Sequence, residues 1–379
     1  MKIAILAPGG FDRSGTERVI PCLLWLVERL VRWGDEVHVF TLRQEATPGQ
    51  WPLLGASIHN VGGSHPLLRG ARALAAVRRE HRRASFDVIH ALWAVPQGAL
   101  ASVAGKTLRI PVLLHLPGGD LARMPEIRYG GRSTLMGRIA LRLAVAGADR
   151  IAVPSVYMSN IAAKLGILTE RLPFGVALDQ WPVAAPRRRL SSAPARLLHV
   201  ANLSLVKDQT TLLTAAAQVR AQRIPFVLDI IGEDTLRGTI MRRAGELNLG
   251  EYVRFHGFLP QRALKEYMYA ADVLVVTSRH EAGPVVVLEA AAAGVPSVGT
   301  HVGLLADWAP TAARTVGVGD SSALSHTIAA LLADEDERLR LAGEAQKKAV
   351  AENADATTRA IRDLYLSMME TRRAQGMSR

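Results

Sequence analysis

Two hydrophobic patterns alternate along the chain. Short continuous apolar runs, many of them β-branched, read as buried strands; between them, apolar residues return every three or four positions, as in helices that bury one face. Lys2–Ala7 runs into Pro8-Gly9-Gly10, a helix is predicted over 17–33, Gly34 closes it, and Glu36–Thr41 forms the next strand. Strand, glycine loop, helix and strand in that order open a mononucleotide-type fold. Further strands are predicted at 86–90 and 110–114. Residues 182–194 are rich in proline, alanine, arginine and serine and read as a linker. A second half of the same type follows, with strands at 197–200, 226–232, 252–259, 273–277 and 295–298, and the chain is helical from about 321 onward.

Composition narrows the class. A chain of 379 residues exceeds what one core usually supports, so two domains are expected, and 49% hydrophobic with 21% charged residues fits a globular protein. One cysteine, Cys22, forms no internal disulfide and suits a reducing compartment. The N-terminal apolar stretch is short for a signal peptide and no uncharged apolar run reaches about 18 residues, so a cytoplasmic protein is expected. Net charge is +12; 22 Lys and Arg against 13 Asp and Glu lie in residues 1–185, and 24 against 21 in 186–379. That excess favours an acidic acceptor or peripheral contact with an anionic membrane. Residues 66–83, where arginines at 69, 72, 78, 79, 82 and 83 interleave with an apolar stripe, fit a membrane surface or a solvated helix face. Nucleic acid is not expected as a partner, since aromatics are 5% and no recognition motif is present.

The candidate chemistry centres on residues 272–300. The strand 273–277 leads through a loop to a helix with Pro284 in its first turn and Gly294 at its end. Free backbone N–H groups around Gly283, Val285 and Val286, with the helix dipole, make that start an anion site. Glu281 lies just before it. Glu289 falls within Val-Val-Val-Leu-Glu-Ala-Ala-Ala-Ala, where a carboxylate needs hydrogen-bond donors or a cleft. Phosphate at the helix start with a carboxylate on either side describes a nucleotide-sugar pocket. His115 stands at the carboxyl end of a strand, the edge where open α/β sheets bind ligands. The three-glycine dinucleotide fingerprint and the P-loop are both absent, which argues against a dehydrogenase or an ATPase.

Glu281 and Glu289, seven residues between them and followed by Ala-Ala-Ala-Ala-Gly-Val-Pro, resemble the paired-glutamate signature of the retaining nucleotide-sugar glycosyltransferases of family 4. Asn202-Leu203-Ser204-Leu205-Val206-Lys207-Asp208 is similar to that family's phosphate-binding loop, with Asn202 where arginine is common; Arg279 is the candidate replacement cation. Ser14-Gly15-Thr16-Glu17 resembles the family's Gly-Gly-x-Glu loop, which faces donor diphosphate and acceptor, and Gly15 is carried over. The resemblance covers nearly the whole chain. It implies a GT-B fold of α/β class, two Rossmann-like domains facing a central cleft. Residues 1–185 would bind acceptor and 186–355 the donor, with 356–379 crossing back onto the first domain. It further implies transfer of a hexose-type sugar from a nucleoside-diphosphate sugar to a glycan, lipid-linked or small-molecule acceptor, with no metal or cofactor. Catalytic positions would be His115, Lys207 and Glu281; Gly15, Asn202, Arg279, Gly283, Val285, Val286 and Glu289 would bind substrate. A nucleotide-sugar epimerase or phosphorylase on this fold, or a non-catalytic sugar-nucleotide-binding subunit of a transferase complex, are the alternatives.

Overall fold

The computed structural model describes residues 1–63, 65–189 and 193–377. They form two compact units, Met1–Gly175 with the chain from Ala354 onward, and Val176–Asn353.

The first unit is built on eight strands in the order Gly49–Leu53, Ala56–Asn60, Glu36–Thr41, Lys2–Ala7, Val88–Leu92, Val112–His115, Arg150–Val153, Glu170–Arg171. All neighbours are parallel except the first two, which form an antiparallel hairpin. Lys2–Ala7 is central, and Ile3 to Ala7 are fully buried, as a strand covered on both faces requires. The helix predicted over 17–33 is shorter, Pro21–Arg32. Residues 12–18 are instead a tight loop, in which the Gly15 N–H donates to Asp12 O at 3.0 Å and the Ser14 N–H to Asp12 Oδ1 at 3.0 Å. Pro21 then supplies the first helical turn, where its missing N–H costs nothing.

The hairpin has no counterpart in the sequence reading. Leu54 and Gly55 form its two-residue turn with φ of +51° and +80°. A paired left-handed turn usually announces itself by Asn-Gly or Asp-Gly, and leucine at its first position conceals it.

Helix Ala354–Met377 belongs to this unit. Arg29 Nε donates to Asp355 Oδ1 at 3.1 Å, Arg362 Nε to Asp35 Oδ2 at 2.7 Å, and the Tyr365 hydroxyl shares a 2.7 Å hydrogen bond with His90 Nδ1. Asp35 is fully enclosed and also holds the N-terminal ammonium at 2.8 Å, so Met1 and this helix are tied to one buried carboxylate.

The second unit carries six parallel strands in the order Val253–Gly257, Phe226–Ile231, Ala195–Val200, Val273–Val276, Ser297–Thr300, Ala313–Val316. Leu197, Leu228, Val273, Val275 and Val298 pack with Leu212, Val219, Ile328 and Leu331 in its core. Strand order reverses between Ala195–Val200 and Val273–Val276, so the carboxyl ends of these two strands flank the switch point where such sheets bind ligands.

Residues predicted as a linker are part of this unit, apart from 190–192, which lie outside the described residues. Trp181 is fully buried, Arg187 pairs with Asp272 at 3.0 Å, and Arg338 donates to Arg187 O at 2.6 Å. The units therefore divide at 175/176 and 353/354, where the sequence reading placed 185/186 and 355/356. Proline and arginine content marked residues 182–194 as exposed chain, but long-range contacts fasten them to the second unit. Among the described residues no helix is long and apolar enough to cross a membrane.

Candidate functional site

The two loops at the switch point of the six-stranded sheet are pinned together. The Arg279 N–H donates to Val206 O at 2.7 Å, and Thr277 Oγ1 donates to Lys207 O at 2.9 Å. These bonds bring Lys207 Nζ to 2.5 Å from Glu281 Oε1, and Ser278 Oγ donates to the same oxygen at 2.6 Å. Side-chain exposure of 28% for Lys207 and 13% for Glu281 leaves the ammonium open to an incoming anion. Partial burial strengthens the pair beyond a surface ion pair, yet a diphosphate, with more negative charge than one carboxylate, competes for the same ammonium.

Arg279 was expected to replace the cation missing at Asn202, and its guanidinium is already engaged: Nε donates to Asp208 Oδ2 at 3.2 Å. Asp208, buried and with φ of +49°, also caps helix Gln209–Ala221 through Thr211. Arg279 thus balances a capping acid. Asn202 accepts from the Glu233 N–H at 3.1 Å and ties its loop to the end of the neighbouring strand.

Below this cluster lies His199, which pattern reading passed over. Its Nδ1–H donates to Val275 O at 2.9 Å, and Nε2 accepts from Gln209 at 3.1 Å. Burial, helped by the Lys207 charge and opposed by Val275 O and Glu281, lowers its pKa to about 4, so it is a neutral support under the ion pair. Only its place at a strand's end could have flagged it.

Helix Val285–Ala292 starts beyond Pro284, the N-cap, which has no side chain able to cap it. The first N–H groups, with those of Val285 and Val286 among them, therefore lack intrahelical partners. Gly303 approaches from the next loop with φ of +52°, and a Cβ there would lie 2.8 Å from Glu281 O and 3.0 Å from Ala282 O, so only glycine lets this loop close on Glu281. Glu289, 5% exposed, accepts one hydrogen bond, 3.3 Å from Gln261 Nε2. Burial pushes its carboxyl up to about 7, against the opposing pull of Gln261 and Lys265. Among the described residues Gln261 is the one donor to Glu289, and a long one.

Lys207, Glu281, Asn202, Arg279, Gly283, Val285, Val286 and Glu289 all belong to the second unit, and Gly15 and His115 to the first. Gly15, with φ of +66°, holds the turn of the 12–18 loop. His115 stands at the end of its strand, as expected, and is enclosed there. As the last residue of a buried strand its ring turns inward, stacked 4.5 Å from Phe174 and 5.5 Å from His90, with no solvent exposure. Burial lowers its pKa to about 3, against a small opposing effect of the Leu172 backbone. The glycine loop of the first unit is occupied, because Gln44 Oε1 accepts from the N–H groups of Gly10 at 2.7 Å and Phe11 at 2.9 Å. Among the described residues no group of three His, Cys, Asp or Glu is placed to hold a metal ion.

Residues 186–348 match the family described as Glycosyl transferases group 1, and residues 19–173 match the Glycosyl transferase 4-like domain. D-inositol 3-phosphate glycosyltransferase 2 of Catenulispora acidiphila is 32% identical over 404 aligned positions, which cover 97% of this chain and 93% of that protein. The chain belongs to the group 1 glycosyltransferases.

Other members match over less of their length. The chain spans 54% of a relative from Bacillus subtilis (strain 168), 28% identical over 223 residues, and 32% of the glycogen synthase of Mycobacterium tuberculosis. Among solved structures, the sucrose-phosphate synthase of Thermosynechococcus elongatus superposes with a TM-score of 0.82 at 21% identity, over 98% of this chain and 99% of that one. Anabaena HepE in complex with UDP-glucose gives 0.74 at 20% identity, over 97% and 100%. These likenesses, with the two Rossmann-like units, establish the GT-B fold of the glycosyltransferase family.

Proposed function

We propose that the protein is a retaining glycosyltransferase that moves a hexose-type sugar from a nucleoside-diphosphate sugar to a glycan, lipid-linked or small-molecule acceptor. The observation that carries this reading is the Lys207–Glu281 ion pair at the switch point of the second sheet, beside an uncapped helix start. HepE was solved with UDP-glucose, which makes a UDP-sugar the first donor to test.

Donor binding exchanges partners. Lys207 leaves Glu281 for the diphosphate, the N–H groups of Gly283, Val285 and Val286 take phosphate oxygens, and Glu281 becomes free to accept sugar hydroxyls. Glu289 loses its proton and accepts the ribose hydroxyls. As the anomeric C–O bond breaks, Lys207 stabilises the charge that develops on the leaving diphosphate. A diphosphate oxygen takes the proton of the acceptor hydroxyl, whose oxygen bonds to the anomeric carbon on the face the leaving group vacates. Configuration is retained, and the nucleoside diphosphate departs with the proton. The charge work falls to Lys207 and the helix start, without a divalent metal. Arg279 acts by holding Asp208 and the Lys207 loop in place. In the first unit the Gly15 loop serves the acceptor. A cytoplasmic location completes the reading, with peripheral contact of the basic first unit with an anionic membrane.

A screen of UDP-, GDP- and ADP-sugars by thermal stabilisation identifies the donor. Donor turnover with and without acceptors then separates transfer from epimerisation and from binding alone, and NMR of the product reads its anomeric configuration. A product of inverted configuration, or no stabilisation by any nucleotide sugar, overturns the reading.

A further inference from the structure

A cavity of about 630 Å³ opens in the first unit between the hairpin Gly49–Asn60 and helix Pro66–Arg83. Its helix wall presents Arg72, Arg79 and Arg83, its hairpin wall includes Gln50 and His59, and none of its lining residues is an acid. Spacings of seven and four residues put the three arginines on one stripe, which spans about 16 Å along the helix axis.

Two of these arginines are held in place. Glu80, only 4% exposed, accepts from Arg79 Nε at 3.1 Å and from Arg83 Nη1 at 3.2 and 3.1 Å through its two oxygens. One buried carboxylate thus orients two guanidinium groups while leaving N–H donors of each unused. Arg72 has no carboxylate partner among the described residues. His59 is 6% exposed and uses both ring nitrogens internally, accepting from Gln50 Nε2 at Nδ1 and donating from Nε2 to His38 Nδ1 at 2.9 Å. It stays neutral, its pKa brought to about 4 by burial first, then by His38, with Glu80 opposing and Arg79 and Arg83 adding to the fall. Three positive charges therefore line the cavity, two of them held by Glu80, which is not among the lining residues.

We propose that this groove is a second anion site, built for a phosphate-bearing ligand. Guanidinium forks match tetrahedral oxygens pairwise, and arginines already oriented by Glu80 lose less freedom on binding than free surface side chains. Ala75, Ala76 and Val61, which also line it, leave room for the organic body that carries the phosphate. That ligand is a soluble phosphate ester or a phospholipid headgroup. The proposal uses none of the donor-site residues, all of which lie in the second unit.

Calorimetric titration of the full chain with inorganic pyrophosphate tests it. The wild type is expected to show a binding component that Arg72→Gln/Arg79→Gln weakens roughly tenfold or more, while Arg78→Gln/Arg82→Gln, outside the lining, leaves it intact. Lys207→Ala reports separately on the donor site. If the Arg72→Gln/Arg79→Gln protein titrates like wild type, or the control pair weakens binding equally, the groove proposal is overturned. A component lost with Arg72 and Arg79 but untouched by Lys207→Ala upholds the groove whatever becomes of the donor reading. Sedimentation with phosphatidylglycerol against phosphatidylcholine vesicles distinguishes the sources. Capture by the anionic vesicles that pyrophosphate displaces and the double variant lacks assigns the site to a headgroup; pyrophosphate binding without capture assigns it to a soluble ester.

Discussion

Replacing Glu289 with glutamine separates a ligand carboxylate from a buried acid that serves only the fold. In the ligand-free protein its pKa lies near 7, against an ordinary 4.5, because burial disfavours the ion. A folded-state value above the unfolded one means that folding takes up a proton. The resulting stability is full below about pH 4.5 and is lost as pH rises through about 7. The span corresponds to roughly 3 kcal/mol. Glu289→Gln, of the same shape and uncharged, should therefore raise the thermal midpoint at pH 8 and change it little at pH 5. Ligand binding should show the opposite sign. Ribose hydroxyls that donate to Glu289 require the carboxylate, so nucleotide binding should release about 0.9 proton at pH 6 and about 0.1 at pH 8. Calorimetry in buffers of different ionisation enthalpy measures that release directly. Glu289→Gln should abolish it and weaken nucleoside-diphosphate and nucleotide-sugar binding alike by about 1–3 kcal/mol. Binding without proton release in the wild type, or with unchanged affinity in the variant, refutes the assignment.

Lys207→Ala should lower turnover roughly 100-fold or more at saturating donor while nucleoside affinity changes little, as loss of a leaving-group stabiliser predicts; near-normal turnover places the chemistry elsewhere. Arg279→Ala should show a smaller parallel loss, together with a lower thermal midpoint, since Asp208 loses its partner. Gly303→Ala forces a Cβ against Glu281 O in a left-handed conformation and should cost about 1 kcal/mol or more of stability along with donor affinity, read by denaturant unfolding and titration. Tyr365→Phe removes the buried bond to His90 and should destabilise the first unit by about 1–2 kcal/mol, with donor affinity in the second unit unchanged.

Much of the candidate site could be read along the chain because its parts are local. Glu281, the helix start and Glu289 lie within one strand–loop–helix unit, and Lys207 lies within one loop, so each announces itself in consecutive residues. His115 was legible only in part for the same reason. Its position at a strand's end is local information, whereas the direction of its ring depends on Phe174 and His90, which arrive from other strands and loops. Arg279 was read as a spare cation because Asp208, its partner, lies 71 positions away.

Taken alone, the sequence determined the alternation of strands and helices, the two mononucleotide-type halves, the family, and the residue types gathered at the candidate site. Periodicity and motif are short-range properties, and they survive in any arrangement of the rest of the chain. Tertiary structure decided which charges are free and which are spent. It set Lys207 against Glu281 across 74 positions, left Glu289 one long hydrogen bond, filled the first glycine loop with Gln44, and moved the unit boundary to 175/176 by burying Trp181. It also gathered Arg72, Arg79 and Arg83 against the hairpin, where the sequence showed only a basic helix. Burial and pairing depend on which distant segments pack together, and these set the strength of every charge, so the chemistry of the site became readable only once the chain had folded.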